Sequence, residues 1–90
     1  MLQTEFVAEC LWPGVRESDL GSLDERATSC AARLDSGVRY LGSLLMPEDE
    51  VVLCLFQGER EAVRKVVEEA GIPFERILET SRSGWQLKGR

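Results

Sequence analysis

Val38-Arg39-Tyr40-Leu41-Gly42-Ser43-Leu44-Leu45-Met46-Pro47-Glu48-Asp49-Glu50-Val51-Val52-Leu53-Cys54-Leu55-Phe56-Gln57 reads as two strands joined by a tight turn. Successive side chains of a strand point to opposite faces. Val38 to Met46 therefore sets Tyr40, Gly42, Leu44 and Met46 on one side and Arg39, Leu41, Ser43 and Leu45 on the other. Pro47-Glu48-Asp49-Glu50 is polar and too short for anything except a hairpin connection. Val51 to Phe56 is almost wholly apolar, which predicts a central strand covered on both faces through Gln57.

The segments on either side of this hairpin repeat one plan. Upstream, Leu2 to Leu11 alternates as a strand, with Phe6, Ala8 and Cys10 facing one way and Val7, Glu9 and Leu11 the other. Trp12-Pro13-Gly14 breaks it. Val15 to Leu34 then carries a helix whose Leu20, Leu23, Ala27, Cys30, Ala31 and Leu34 recur at three- and four-residue steps. Ser18 or Ser22 is the expected N-cap, because Ser22 and Glu25 match the capping-box spacing. Gly37 is the expected left-handed stop. Downstream, Glu59 to Ala70 is a second helix with an Ala62, Val63, Val66, Val67 and Ala70 stripe. Gly71 and Pro73 end it. Phe74 to Glu79 alternates as a fourth strand, with Phe74, Arg76 and Leu78 opposite Glu75, Ile77 and Glu79.

Strand–helix–strand–strand–helix–strand, with right-handed crossovers and a central hairpin, is the α+β ferredoxin-like split βαβ sandwich (βαββαβ). Its antiparallel sheet has the order 4-1-3-2, and both helices lie on one face. Residues 1–80 make a single domain. Residues 81–90 form a C-terminal tail in which Trp85 and Leu87 are an apolar hook, available as an extra edge strand.

The 90 residues are 43% hydrophobic and 30% charged, an ordinary globular mix. A net charge of −5 disfavours nucleic acid, where affinity rests on neutralising phosphates. No run approaches the ~20 apolar residues that span a bilayer. Met1-Leu2-Gln3-Thr4-Glu5 lacks a basic segment followed by a long apolar one, so a cytoplasmic location is expected. There is no histidine, which removes Ser-His-Asp and Cys-His catalysis and any Cys/His zinc pattern. Cys10, Cys30 and Cys54 form an odd set without CxxC spacing and read as reduced, buried thiols.

The sheet face without helices still carries Val7, Leu11 and outward residues of the third strand. Exposed apolar area of that extent marks a contact surface, so pairing of two copies through this open face into a homodimer is expected. The competing arrangement is a monomer whose Trp85 and Leu87 fold back over the patch.

Glu9 with Pro13-Gly14, Gly37-Val38-Arg39-Tyr40-Leu41, the run Pro47 to Phe56, and Ala70-Gly71-Ile72-Pro73-Phe74-Glu75-Arg76-Ile77 resemble the DUF4242 family of small actinobacterial ferredoxin-like proteins. The resemblance spans roughly Phe6 to Glu79. It implies a ferredoxin-like dimer, an extra edge strand, and metal at the dimer surface, one member being described as a nickel-binding dimer. It implies no established catalysis. Nickel prefers imidazole, and the missing histidine is a departure from what the resemblance implies.

The candidate ligand-binding residues are Glu9, Arg39, Tyr40, Cys54 and Arg76. Glu9 stands mid-strand between Ala8 and Cys10 and either anchors a ligand or pairs with Arg39 or Arg76 across the open face. Arg39 can clamp a carboxylate or phosphate. Tyr40 offers a hydroxyl over an apolar floor. Cys54 has no cationic neighbour to activate its thiol. Glu48, Asp49 and Glu50 are a hard-oxygen cluster suited to weak divalent-metal binding. Three readings follow. The first is a small non-catalytic dimeric protein that binds a small ligand or a divalent metal, nickel by family resemblance. The second is an enzyme of the dimeric α/β-barrel type, cyclase- or isomerase-like, with Glu9 as acid–base group and Tyr40 as hydrogen-bond donor. The third is an accessory protein-interaction module.

Overall fold

The computed structural model describes residues 4–81 and 83. Its elements are β1 (Glu5–Leu11), one 3-10 turn (Glu17–Asp19), α1 (Leu20–Leu34), β2 (Arg39–Met46), β3 (Val51–Gln57), α2 (Arg60–Glu69) and β4 (Arg76–Thr80). The sheet order is β2-β3-β1-β4 and every pairing is antiparallel, which is the expected ferredoxin-like arrangement. Trp85 and Leu87, expected as a hook or edge strand, lie outside the described residues.

The core forms where the two helix stripes meet one side of the sheet. Phe6, Ala8 and Cys10 of β1 and Val52, Cys54 and Phe56 of β3 pack against Leu23, Ala27 and Cys30 of α1 and Val63, Val66 and Val67 of α2. Phe56, Val52, Leu23, Val63, Val66 and Val67 are fully enclosed. Each such side chain stabilises the fold by about 1.5–3 kcal/mol relative to an exposed one. Gly58 closes the turn after β3 in a backbone conformation with φ +152, and a Cβ there would come within 3.2 Å of Val38 Cγ2 and 3.3 Å of Val38 Cα. Only glycine suits both demands.

Local details depart from the sequence expectations at the element ends. Neither Ser18 nor Ser22 caps α1. The 3-10 turn precedes it, and the Arg16 N–H donates to Asp19 Oδ2 at 2.8 Å. Asp19 is the N-cap residue of α1 by position, but its side chain reaches back to fasten the preceding turn and makes no cap hydrogen bond to α1. Gly37 takes the expected left-handed conformation at φ 81, and Asp35, the C-cap residue two positions earlier, joins it at φ 50. A short polar side chain tolerates that conformation. β4 starts at Arg76 rather than Phe74. Phe74 packs against the core instead, under the Arg64 guanidinium at 5.7 Å.

The departure with most consequence is in β2. The register shifts between Tyr40 and Gly42, so Leu41 is an extra residue and the alternation changes sides. Tyr40, Ser43 and Leu45 align with Phe56, Cys54 and Val52 on the helix-covered side. Arg39, Gly42, Leu44 and Met46 align with the other side. The expected grouping of Tyr40 with Leu44 and Met46 is therefore corrected. Gly42, at φ 128, supplies the backbone freedom the bulge needs. β3 is central as expected, but within one chain helices cover only one of its faces. Leu53 and Leu55 remain half-buried on the other.

Candidate functional site

Strand register arranges the open face in rows. Met46, Val51 and Leu11 form one; Leu44, Leu53, Glu9 and Arg76 the next; then Gly42, Leu55, Val7 and Leu78; then Arg39, Gln57, Glu5 and Thr80. The first and third rows and half of the second are apolar. Leu11 is 55% exposed and Leu44 54%, with Met46 and Leu78 at 38% each. Large apolar residues so placed on contiguous strands form a patch rather than scattered exposures.

Glu9 and Arg76 are the charged pair within the patch. They are cross-strand partners, and Arg76 Nε donates to Glu9 Oε1 at 2.6 Å. This selects one of the two partners expected for Glu9. The Glu9 side chain is 29% exposed and the Arg76 side chain 63%. The hydrogen bond to Glu9, and the charge behind it, raise the Arg76 pKa above its already high ordinary value. Arg76 is therefore a permanent cation whose Nε is committed to Glu9. Cross-strand ion pairs of this kind set register as well as charge balance.

The other candidates separate. Arg39 is exposed on the edge strand, in the row of Glu5 and Gln57, two strands away from Glu9. Tyr40 faces the helices, and its hydroxyl donates to Asp24 Oδ1 of α1, which also accepts from Ser43 Oγ at 3.3 Å. Burial, then the bond to Asp24, pushes the Tyr40 phenol up from its ordinary 10.0. Cys54 is fully buried on the same side. Hydrogen bonding with Cys10, then burial, pushes its thiol well up, the reverse of what a nucleophile needs. Tyr40 and Cys54 thus lie on the opposite side of the sheet from Glu9, Arg39 and Arg76. One pocket cannot join all five. Arg39 and Tyr40 stay on opposite faces of β2, as their alternation in the sequence implies.

The hairpin carboxylates also fail to converge. Glu50 Oε2 accepts from the Gly14 N–H at 2.9 Å, and the Glu50 carbonyl accepts from the Trp12 N–H at 2.8 Å. Glu50 therefore fastens the turn after β1 to the hairpin. Glu48 and Asp49 border an open depression of about 450 Å³ with Leu45, Met46 and Pro47. Among the described residues no three His, Cys, Asp or Glu side chains are grouped so as to hold a metal ion. Nor, among them, is any helix long and apolar enough to cross a membrane. Sequence reading missed Leu44 and Met46 as partners of Glu9's face and Asp24 as the partner of Tyr40. Gly42 inside a strand was the available signal for the first.

This sheet, with its central hairpin and two helices on one side, matches known proteins. The family model described as "Nickel responsive protein SCO4226-like" matches residues 6–80. The chain belongs to this family. The crystal structure of SCO4226 from Streptomyces coelicolor A3(2) superposes with a TM-score of 0.75 at 23% identity, covering 89% of this chain and 99% of that one. The SCO4226-like fold thus extends over nearly the whole described domain. No curated protein matches the chain.

Proposed function

We propose that this SCO4226-like protein is a small, non-catalytic binding protein that works as a homodimer. Two copies pair through the open sheet face, and a small ligand lies beside the Glu9–Arg76 pair against the apolar rows. The observation that carries this reading is the contiguous patch of Leu11, Leu44, Met46, Val7, Leu53, Leu55 and Leu78, four of whose members are 38–55% exposed in the single chain. A self-complementary face of this kind suits an isologous two-fold contact. Glu9 is tied to Arg76 rather than aimed alone into a chamber, which supports binding over acid–base turnover. The family's description names a response and no reaction, which likewise supports a non-catalytic reading. The three buried free cysteines suit a reducing compartment, so the cytoplasm is the proposed location.

Light scattering on tag-free protein tests the pairing. The expected mass is twice the 10.1 kDa of one chain. A single-chain particle across the micromolar range would refute the dimer.

A further inference from the structure

We infer that this chain is a member of the nickel-responsive family that holds no nickel of its own, because Arg76 already supplies the cation to Glu9 on the open face and no donor set of three is left among the described residues. Imidazole suits nickel, and there is no histidine anywhere in the sequence. Thiolates are the next class, and all three cysteines are buried. Cys10 and Cys54 lie in the core between sheet and helices, and Cys30 accepts a hydrogen bond from Arg33 Nη2 at 3.5 Å. The three residues are 0–3% exposed, so a metal ion could reach their sulfurs only by opening the core.

Carboxylates remain. Glu9 is bound to Arg76, Glu50 to the Gly14 N–H, Asp24 to Tyr40 and Ser43, Glu79 to Arg60 and Glu68 to Arg64. No three His, Cys, Asp or Glu side chains gather among the described residues. Residues 1–3, 82 and 84–90 contain none of these four types, so every such side chain of the chain has been counted.

A second copy does not repair the deficit. The open face presents the carboxylates Glu5 and Glu9 together with the guanidinium groups Arg39 and Arg76. Each copy that pairs through it brings as much positive as negative charge. A hard or borderline divalent cation is held by net ligand charge and by donor number. This seam offers neither, and the expected heat of nickel binding is nil.

The test is calorimetric titration of nickel chloride into tag-free protein, since a polyhistidine tag would supply the missing imidazoles. Thermal melts with nickel chloride and with magnesium chloride run in parallel. The expected result is no saturable heat at micromolar protein and the same melting midpoint in both salts. A micromolar isotherm with one nickel per chain, or one per two chains, would overturn the inference, as would a midpoint raised by nickel alone. Weighing the same samples by light scattering keeps the two claims apart. A monomer refutes the pairing and leaves the titration to judge nickel, while a nickel isotherm refutes this inference at either mass.

Discussion

Replacing Leu44 by glutamate should separate the proposed dimer into folded monomers. Leu44 sits on edge strand β2, opposite Leu53 and in the row that ends in Glu9 and Arg76. It is 54% exposed in the single chain. Full burial of a leucine is worth about 1.5–3 kcal/mol, so the half still exposed contributes about 1–1.5 kcal/mol when a partner covers it. A two-fold contact counts the residue twice, giving about 2–3 kcal/mol per dimer. Leu44→Ala should therefore weaken association roughly 30- to 150-fold. Leu44→Glu adds two carboxylates taken from water without new partners, several kcal/mol more, and should leave no dimer at micromolar concentration. The same position is open to solvent in the monomer, so its folding stability should change by no more than about 0.5 kcal/mol. Sedimentation velocity across a concentration series reads the first effect, and circular-dichroism melts of the dilute monomer read the second. Lys65→Glu, an exposed change on α2, serves as the control. A Leu44→Glu protein that sediments as a dimer, or a Lys65→Glu protein that dissociates, would refute the reasoning.

Three further outcomes are expected. Tyr40 is the only tyrosine, so absorbance near 295 nm reports it alone. Burial and the bond to Asp24 raise its folded pKa above the ordinary 10.0, so above that pH the unfolded chain binds fewer protons than the folded one and stability falls as pH rises. Ionisation at pH 10 in the folded protein would contradict the Tyr40–Asp24 contact, and Tyr40→Phe should cost about 1–2 kcal/mol of denaturant stability. Gly58→Ala combines a strained φ with the 3.2 Å approach to Val38 Cγ2, and should cost about 1–3 kcal/mol, seen as a melting midpoint lower by roughly 5–15 °C. Unchanged melting would mean the turn relaxes freely. The three buried thiols should react with a thiol reagent only on unfolding, and prompt labelling of the native protein would contradict their burial.

The parts of this molecule that follow from local pattern were legible in advance. Val51–Gln57 reads as a strand from its unbroken apolar run, and the structure has the same limits. The helix stripes place Leu23, Ala27 and Cys30, and Val63, Val66 and Val67, in the core, because a period of three and four residues leaves them no other shared face. Ends were less legible. Asp19 stands at the N-cap position expected for a serine, and Asp35 turns left-handed in addition to Gly37, since several short polar residues compete for the same geometry. In the candidate site, Glu9's partner was narrowed to Arg39 or Arg76. The choice depended on register, which one slipped residue would have altered.

Order of elements, the greasy centre of β3 and the absence of histidine are properties of the chain read in one dimension. They settle the ferredoxin-like class and remove imidazole chemistry before any coordinates. Which side of the sheet each β2 residue joins could not be read that way. One extra residue at Leu41 moves Tyr40 toward Asp24 and turns Leu44 and Met46 outward beside Leu53. That inversion depends on which backbone groups of β2 meet those of β3, a pairing between strands rather than a preference within one. The same holds for Arg76, brought onto Glu9 from 67 residues away by the antiparallel docking of β4 on β1.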